Sequence, residues 1–577
     1  MSMSAHRNWS ASASTGVAVL ALAAATSCTT GMISDNTGSG SSTPAAGSGG
    51  GGAPVLPAGV VDPGRVAIHR LNSTEYDNTV RDLLGTATQP ALAFLNEEAL
   101  IGFDNNAESL GMTTPQYQSY FDAAGALVTE ALASATERAR FMTCTPTAAA
   151  DPCARQILTN FGMQVYRRPL ETAEVDRAMK LYDADIARGQ TGTEAIGQAM
   201  RGMLSAANFL YRIEHDDNPT SVTPHPLSSY ELASRLSYLT WSSMPDAALF
   251  AAAKDNTLQD AAKLEATADR MLADSKVSAF AESFSGQWLG VRKLITHAIT
   301  PAIFPSYTST LADAMMAEGN LWFQEFLTKD LPLSTWFSAD FNFVNDELAK
   351  HYGMPAPGSG TQMVRTAVTT DQRQGFLGLA AFLTVSSVPS RTSPTTRGKW
   401  VLTALLCDPP RDPPPGIPAL DPVADPNAAP DPKLEAMQAA ENVKARLATH
   451  RASPACAGCH ASLDPIGLGL EQFDAVGRYR AAYGNGDVID PKGELPDHTA
   501  FAGAAELGPL IGKDPRFTAC VQRNLFSYAL GRDIEPYDAT ETQQLSQKWA
   551  ARGFTFKNLM KEVILSDSFR RRRGEAL

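Results

Sequence analysis

Between Asp408 and Pro432 the sequence reads DPPRDPPPGIPALDPVADPNAAPDP, with ten prolines and five aspartates in twenty-five positions. Each proline fixes its own φ and removes a backbone donor, so neither a helix interior nor a central strand can run through such a stretch. It is predicted to be an extended, polyproline-like strap. The strap divides the chain into a long segment before it and a shorter one after it. The shorter one holds the run KLEAMQAAENVKARLATH, a Cys-Ala-Gly-Cys-His motif, and a last helical pair, RFTACVQRNLFSYALGR and FKNLMKEVILSDSF.

Before the strap, apolar residues recur at helical spacing. Leu71, Tyr76, Val80, Leu83 and Leu84 share one face of RLNSTEYDNTVRDLLG, with Ser73 as N-cap and Gly85 as the stop. SSYELASRLSYLTW opens on Ser228 and Glu231 at capping-box spacing and is expected to bury Ala233, Leu236 and Leu239. AEVDRAMKLYDADIARG, TEAIGQAMRGMLSAANFLYR, LADAMMAEGNLWFQEFL and DQRQGFLGLAAFLTVSS repeat the pattern. Strand signals are sparse. One hairpin is predicted in GDVIDPKGELPDH, turning at Asp490 to Gly493. Its acids Asp487, Asp490 and Glu494 match no EF-hand spacing and are expected on a solvated hairpin rather than around calcium.

The N-terminus sets the compartment. His6 and Arg7 precede GVAVLALAAA, an apolar run from Gly16 to Ala25 that is too short to span a bilayer, as in a secretory signal. Ala25-Thr26-Ser27-Cys28 resembles the bacterial lipobox, in which the cysteine becomes the lipidated first residue, although Ala25 stands where a large aliphatic residue is usual. An ordinary cleaved signal peptide is the alternative. Residues 29 to 60 are rich in Gly, Ser, Thr, Ala and Pro, a flexible tether by composition. The sequence holds no later apolar run of about eighteen residues. The body is therefore expected outside the cytoplasm, in the periplasm or at the outer membrane or cell surface, with lipid on Cys28 as its one membrane contact.

A length of 577 residues with 44% hydrophobic content allows a large core and several units. The net charge of −13 argues against nucleic acid or anionic lipid as partner. FRRRRGEAL, the one concentrated basic run, is expected to be a solvated tail. The chain has seven cysteines. With Cys28 and the motif pair set aside, Cys144, Cys153, Cys407 and Cys520 are disulfide candidates in an oxidising compartment. A local Cys144–Cys153 bridge would leave Cys407 for Cys520, and the sequence also permits the other pairings.

Three chemistries use cysteines spaced as in Cys456-Ala-Gly-Cys459-His460: covalent haem, half a zinc site, and a dithiol redox pair. Zinc needs a second close pair of ligands, which the sequence lacks. A redox dithiol belongs at a helix start in a βαβ unit, and no such pattern surrounds this motif. Haem c needs two thiols for the two vinyl groups and a histidine directly after them for iron. Cys456 and Cys459 are thus the haem-attachment residues and His460 the proximal iron ligand, and haem c is the expected cofactor. Asp464 is expected to cap a helix opening at Pro465.

Beyond the motif, RTSPTTRGKWVLTALLCDPPRDPPPGIP, CAGCHASLDPIGLGLEQFDAVGRYR and CVQRNLFSYALGR resemble the C-terminal domains of a multi-domain family found in planctomycetes and myxobacteria. HRLNSTEYDNTVRDLLG, YRRPLETAEVDRAMKLY, and PLSSYELASRLSYLTWSSMPD with FVNDELAKHYGM resemble its earlier ones. The modules are the domains of unknown function 1587, 1595, 1592, 1588 and 1585, and the likeness covers nearly everything from residue 65 onward. It implies a secreted, mainly α, multi-domain helical body with a C-terminal cytochrome c-like helical haem segment and a short β-hairpin. The expected boundaries are a signal peptide at 1–28, a linker at 29–60, helical modules at 61–140 and 141–220, a central helical domain at 221–385, the proline-strapped haem-motif domain at 386–480, and a C-terminal hairpin and helical module at 481–577.

The distal iron ligand is less constrained. Met560 is the one methionine after His460, and His498 lies where the family carries glycine. His450, matching the family's His-Arg before the motif, is the candidate; a helix C-terminal cap is its alternative role. Arg391, Arg397 and Arg478 are candidates for the haem propionates, or else braces for loop carbonyls and acids.

The function expected is extracytoplasmic electron transfer by an exported, lipid-anchored c-type haem protein with a redox protein as partner. A haem-dependent oxidoreductase of unknown substrate and a surface scaffold or polymer-binding lipoprotein are the alternatives. No nucleotide fingerprint, nucleophile elbow or zincin helix occurs in the sequence.

Overall fold

The computed structural model describes residues 60–64, 68–94, 102–411, 443–451 and 454–574. Cys28, the expected tether and most of the proline strap lie outside the described residues, as does the side chain of His450. The described chain is mainly helical, with four two-stranded antiparallel pairs. None of its helices is long and apolar enough to cross a membrane.

Helix starts follow side-chain chemistry. Ser228 accepts from the Glu231 amide and Glu231 caps back, opening the helix Ser229–Trp241, in which Ala233, Leu236 and Leu239 are buried. The helix Ser73–Leu84 is capped one residue earlier than expected. Asn72, not Ser73, holds the Glu75 amide and forms the capping box, because the Asn72 carboxamide also meets Asp104 at 2.9 Å. Gly85 ends that helix at φ 79°, a left-handed conformation suited to glycine.

Two of the four strand pairs tie distant parts of the chain together. β1 (His69–Arg70) pairs with β2 (Tyr211–Arg212), and β3 (His225–Pro226) with β8 (Arg571–Arg572). β4 (Phe341–Val344) and β5 (Val364–Ala367) form a third pair. A hairpin forms in this region, but not the predicted one: the last two of the expected turn residues lie in its first strand, and its second strand falls beyond Asp497–His498. β6 (Lys492–Glu494) includes Gly493, and the chain reverses over Leu495–Thr499, closed by the Asp497 carboxylate on the Thr499 amide, before β7 (Ala500–Ala502). Gly493 serves close approach rather than turning: a Cβ there would lie 2.3 Å from the Pro465 carbonyl.

The C-terminal arginines are not a solvated tail. Arg572 is 6% exposed and donates to Glu231 and to the His215 carbonyl, and Arg573 reaches Asp62 at 2.7 Å. Arg570 and Arg571 donate to the carbonyls of Gln259 and Pro224. The run is held because each guanidinium meets an acceptor on an earlier segment.

One apolar core joins Phe103, the helix Ser229–Trp241, the helix Ser309–Thr328, the stretch Phe376–Leu406, Leu463–Phe473, and the C-terminal helices Pro515–Leu530 and Phe556–Leu565. A second core, around Tyr76, Tyr120 and Phe209, unites the helices between residues 73 and 204. The segment bearing the cysteine motif thus shares its core with the segments before and after it. Cys144–Cys153 and Cys407–Cys520 are both disulfides.

Candidate functional site

The cysteine motif lies on the helix Pro454–Leu468, which packs against the helix Pro394–Trp400. Two glycines allow the approach. A Cβ on Gly398 would lie 2.0 Å from the Leu463 carbonyl, and one on Gly467 would lie 1.8 Å from the Pro394 carbonyl. Any side chain at either position would force the helices apart. Ser393 caps the shorter helix, and Pro394 stands in its first turn, where the missing amide costs nothing.

Cys456 and Cys459 are half-buried free thiols three residues apart, so they lie on one side of the helix. His460 follows within the same turn, and its Nδ1 lies 3.0 Å from both oxygens of Asp464. That contact corrects the expected role of Asp464. The helix does not open at Pro465 but runs through it, and Asp464, with no exposed surface, lies inside one turn beyond His460. Its carboxylate also accepts from Thr395 at 2.8 Å and pairs with Arg451 at 3.9 Å. A carboxylate at Nδ1 fixes the proton there, so Nε2 carries the lone pair a metal needs.

A second buried polar group braces the chain after this helix. Arg397 has no exposed surface. It donates to the carbonyls of Leu470, Phe473 and Asp474 at 2.7–2.8 Å and to the Ser387 hydroxyl at 3.1 Å. Burial pulls its pKa down to about 10, still far enough above neutrality to keep the charge. Glu471, equally buried, accepts from Thr392 at 2.8 Å and from Arg480 at 3.0 Å, and lies 3.8 Å from Arg397.

The three arginines considered for propionates therefore differ. Arg397 braces carbonyls and presents nothing to a ligand. Arg391 is half-buried, donating to the Thr392 carbonyl, and Arg478 is exposed. Met560 is fully buried in the main core, and His498 projects from the hairpin turn with its side chain 84% exposed. Sequence reasoning missed Thr395, Glu471 and Arg480. The spacing of Asp464, one helical turn after His460, was the available signal for its contact.

The donor set fits haem c. Two free thiols and an oriented imidazole share one helix, while the other four described cysteines are bonded. Among the described residues no group of three or more His, Cys, Asp or Glu side chains could hold a metal ion. A protein-built zinc centre would need such a group, whereas haem iron takes a single proximal nitrogen.

Five family models match the chain, each described as a protein of unknown function. They are DUF1587 at residues 69–133, DUF1595 at 153–214, DUF1592 at 227–354, DUF1588 at 373–483 and DUF1585 at 497–569. The model spanning the cysteine motif carries the short name PSCyt3, which hints at a cytochrome-like domain. No curated protein and no solved structure matches.

Proposed function

Because the chain belongs to the family that carries these five domains in this order, we propose that its DUF1588 segment is a c-type haem module and that the protein transfers electrons outside the cytoplasm. The observation that carries the reading is the His460–Asp464 pair beside two free thiols. Cys456 and Cys459 would hold the haem by adding each S–H across a vinyl group, and His460 Nε2 would take the proximal position. Bound haem supplies one-electron chemistry at its iron. Asp464 keeps the His460 proton on Nδ1 and the ring in one orientation. Thr395 and Arg451 hold Asp464 in turn. His450 remains the proposed distal ligand.

Export, lipidation of Cys28 and a basic redox partner belong to the same proposal, the last because the chain carries a net charge of −13. Expression with a cytochrome c maturation system tests the haem. A c-type pyridine haemochrome band should survive acid–acetone extraction, and a colourless product would refute the assignment. Cys28→Ala should release the protein from the membrane fraction, and unchanged fractionation would leave ordinary secretion.

A second reading, a haem-dependent oxidoreductase, draws on the same carboxylate. An acid on the proximal histidine makes that ligand more basic than a carbonyl partner would, favouring oxidised iron. Turnover of a small substrate or peroxide by the purified protein alone would favour this reading, and partner kinetics that slow with salt would favour the relay.

A further inference from the structure

A cavity of about 450 Å³ opens where β1, β2, the helix Ser229–Trp241 and Arg572 of the C-terminal arginine run meet. That size falls in the range of roughly 300–1,000 Å³ typical of small-molecule sites. Four of the five matched segments reach its wall or lie beside it, and residues 373–483 contribute nothing. It is therefore separate from the cysteine helix, and occupancy of this cavity does not require haem.

The charges on its wall are unequally engaged. Glu214 is held by Arg235 at 2.8 Å. Glu231 is held by Arg572 and by the amides of Ser228 and His215. Asp216 accepts from His225 and from the Asn218 amide, while Asp217 stands in solvent at 93% exposure. Arg212 is the exception. Its side chain is 15% exposed, yet its guanidinium makes no hydrogen bond among the described residues. Its contacts are Glu75 at 3.7 Å, beyond hydrogen-bonding distance, and the face of Tyr238 at 5.1 Å. Burial raises the pKa of Glu75, which weakens that acid as a counter-charge.

Directly across the strand pair from Arg212 stands His69, whose Nδ1 is buried without a partner. Burial, with Arg212, Arg235 and Arg532 nearby, keeps the ring neutral. Arg572 Nε, on the same wall, also lacks a hydrogen-bond partner. Buried donors left unmade are costly, and a planar fork of N–H groups matches a carboxylate.

We propose that this cavity binds a small monocarboxylate on a polar, hydroxyl-bearing body, with Arg212 gripping the carboxylate. The four wall acids disfavour a dianion such as phosphate, and the polar half of the wall suits hydroxyl groups.

Isothermal titration of the full chain with glucuronate, glucose and inorganic phosphate tests this. Glucuronate should bind saturably at one site and more tightly than either of the others. Arg212→Gln should weaken glucuronate roughly tenfold or more, while Lys254→Gln, at an exposed position away from the wall, should leave it unchanged. Arg212 meets Glu75 at 3.7 Å and the face of Tyr238, so the variant should melt somewhat below wild type, and its weakened glucuronate binding should persist at temperatures where both chains are fully folded. Absence of saturable glucuronate binding, tighter phosphate binding, or glucuronate binding indifferent to Arg212→Gln would overturn the proposal.

Discussion

Replacing Arg397 by alanine separates the two roles that sequence leaves open for it. If it braces the chain, the loss falls on the protein without haem. Three carbonyls lose donors at 2.7–2.8 Å, and buried Glu471 loses one of its two cationic neighbours. Hydrogen bonds to a charged group contribute about 1.5–3 kcal/mol each. They do not add, because loop and water relax into the gap, and breaking one side of a buried charged cluster costs about 3–5 kcal/mol. Hydrogen exchange read by mass spectrometry on peptides covering residues 463–480 should therefore accelerate by about 10²-fold or more. Arg397→Lys should fall between, since an ammonium keeps the charge but cannot span the carbonyls as a fork does. Arg478→Ala, at an exposed position, should stay within about 0.5 kcal/mol of wild type. If Arg397→Ala and Arg478→Ala exchange alike, the bracing argument fails.

Three further outcomes are expected. Glu318 is buried, holds Tyr352 and Asn342, and has its pKa pushed up to about 7 by burial. The folded chain keeps that proton after the unfolded chain has lost it. The resulting stability is complete below pH 4.5 and is lost as pH rises through 7, about 3 kcal/mol in all; urea titrations from pH 5 to 8 should show a slope that Glu318→Gln flattens. Removing Cys407–Cys520, which closes 113 residues, should cost about 5 kcal/mol against about 2.6 for Cys144–Cys153, which closes nine, by the chain-entropy relation; equal urea midpoints for the two paired serine variants would contradict it. In haem-loaded protein Asp464→Asn should raise the midpoint potential without altering the c-type haemochrome band, and an unmoved potential would remove Asp464 from any influence on the iron.

Local rules carried the sequence reading where a side chain acts on its own turn. The Ser228–Glu231 box was visible because both partners lie within one turn of helix. Where a contact crosses the chain, the same rules misled. Asn72 displaced Ser73 as cap with help from Asp104, thirty-two residues away. Gly493 reads as a turn residue until Pro465 is placed against it. Asp464 before Pro465 carries the local signature of a helix start, and Thr395 and His460 make it a helix interior instead. Arg570 to Arg573 read as solvated because their acceptors lie at Asp62, Pro224, Glu231 and Gln259, hundreds of residues earlier. The motif at Cys456 was plain, whereas the cavity around Arg212, assembled from short pieces of distant segments, left no local trace.

The contacts of Arg570 to Arg573 with much earlier segments bear on the order in which parts of the molecule can close. Arg572 and Arg573 are made hundreds of residues after Glu231 and Asp62, the acids they neutralise. Until they arrive, β3 lacks its partner strand, and Glu231 and Asp62 lack these cations. The early helices can cap and pack as they emerge, but the wall around Arg212 closes only once Arg572 has been made. A chain interrupted just before Arg572 would hold most of the folded body and still lack a closed wall to this cavity.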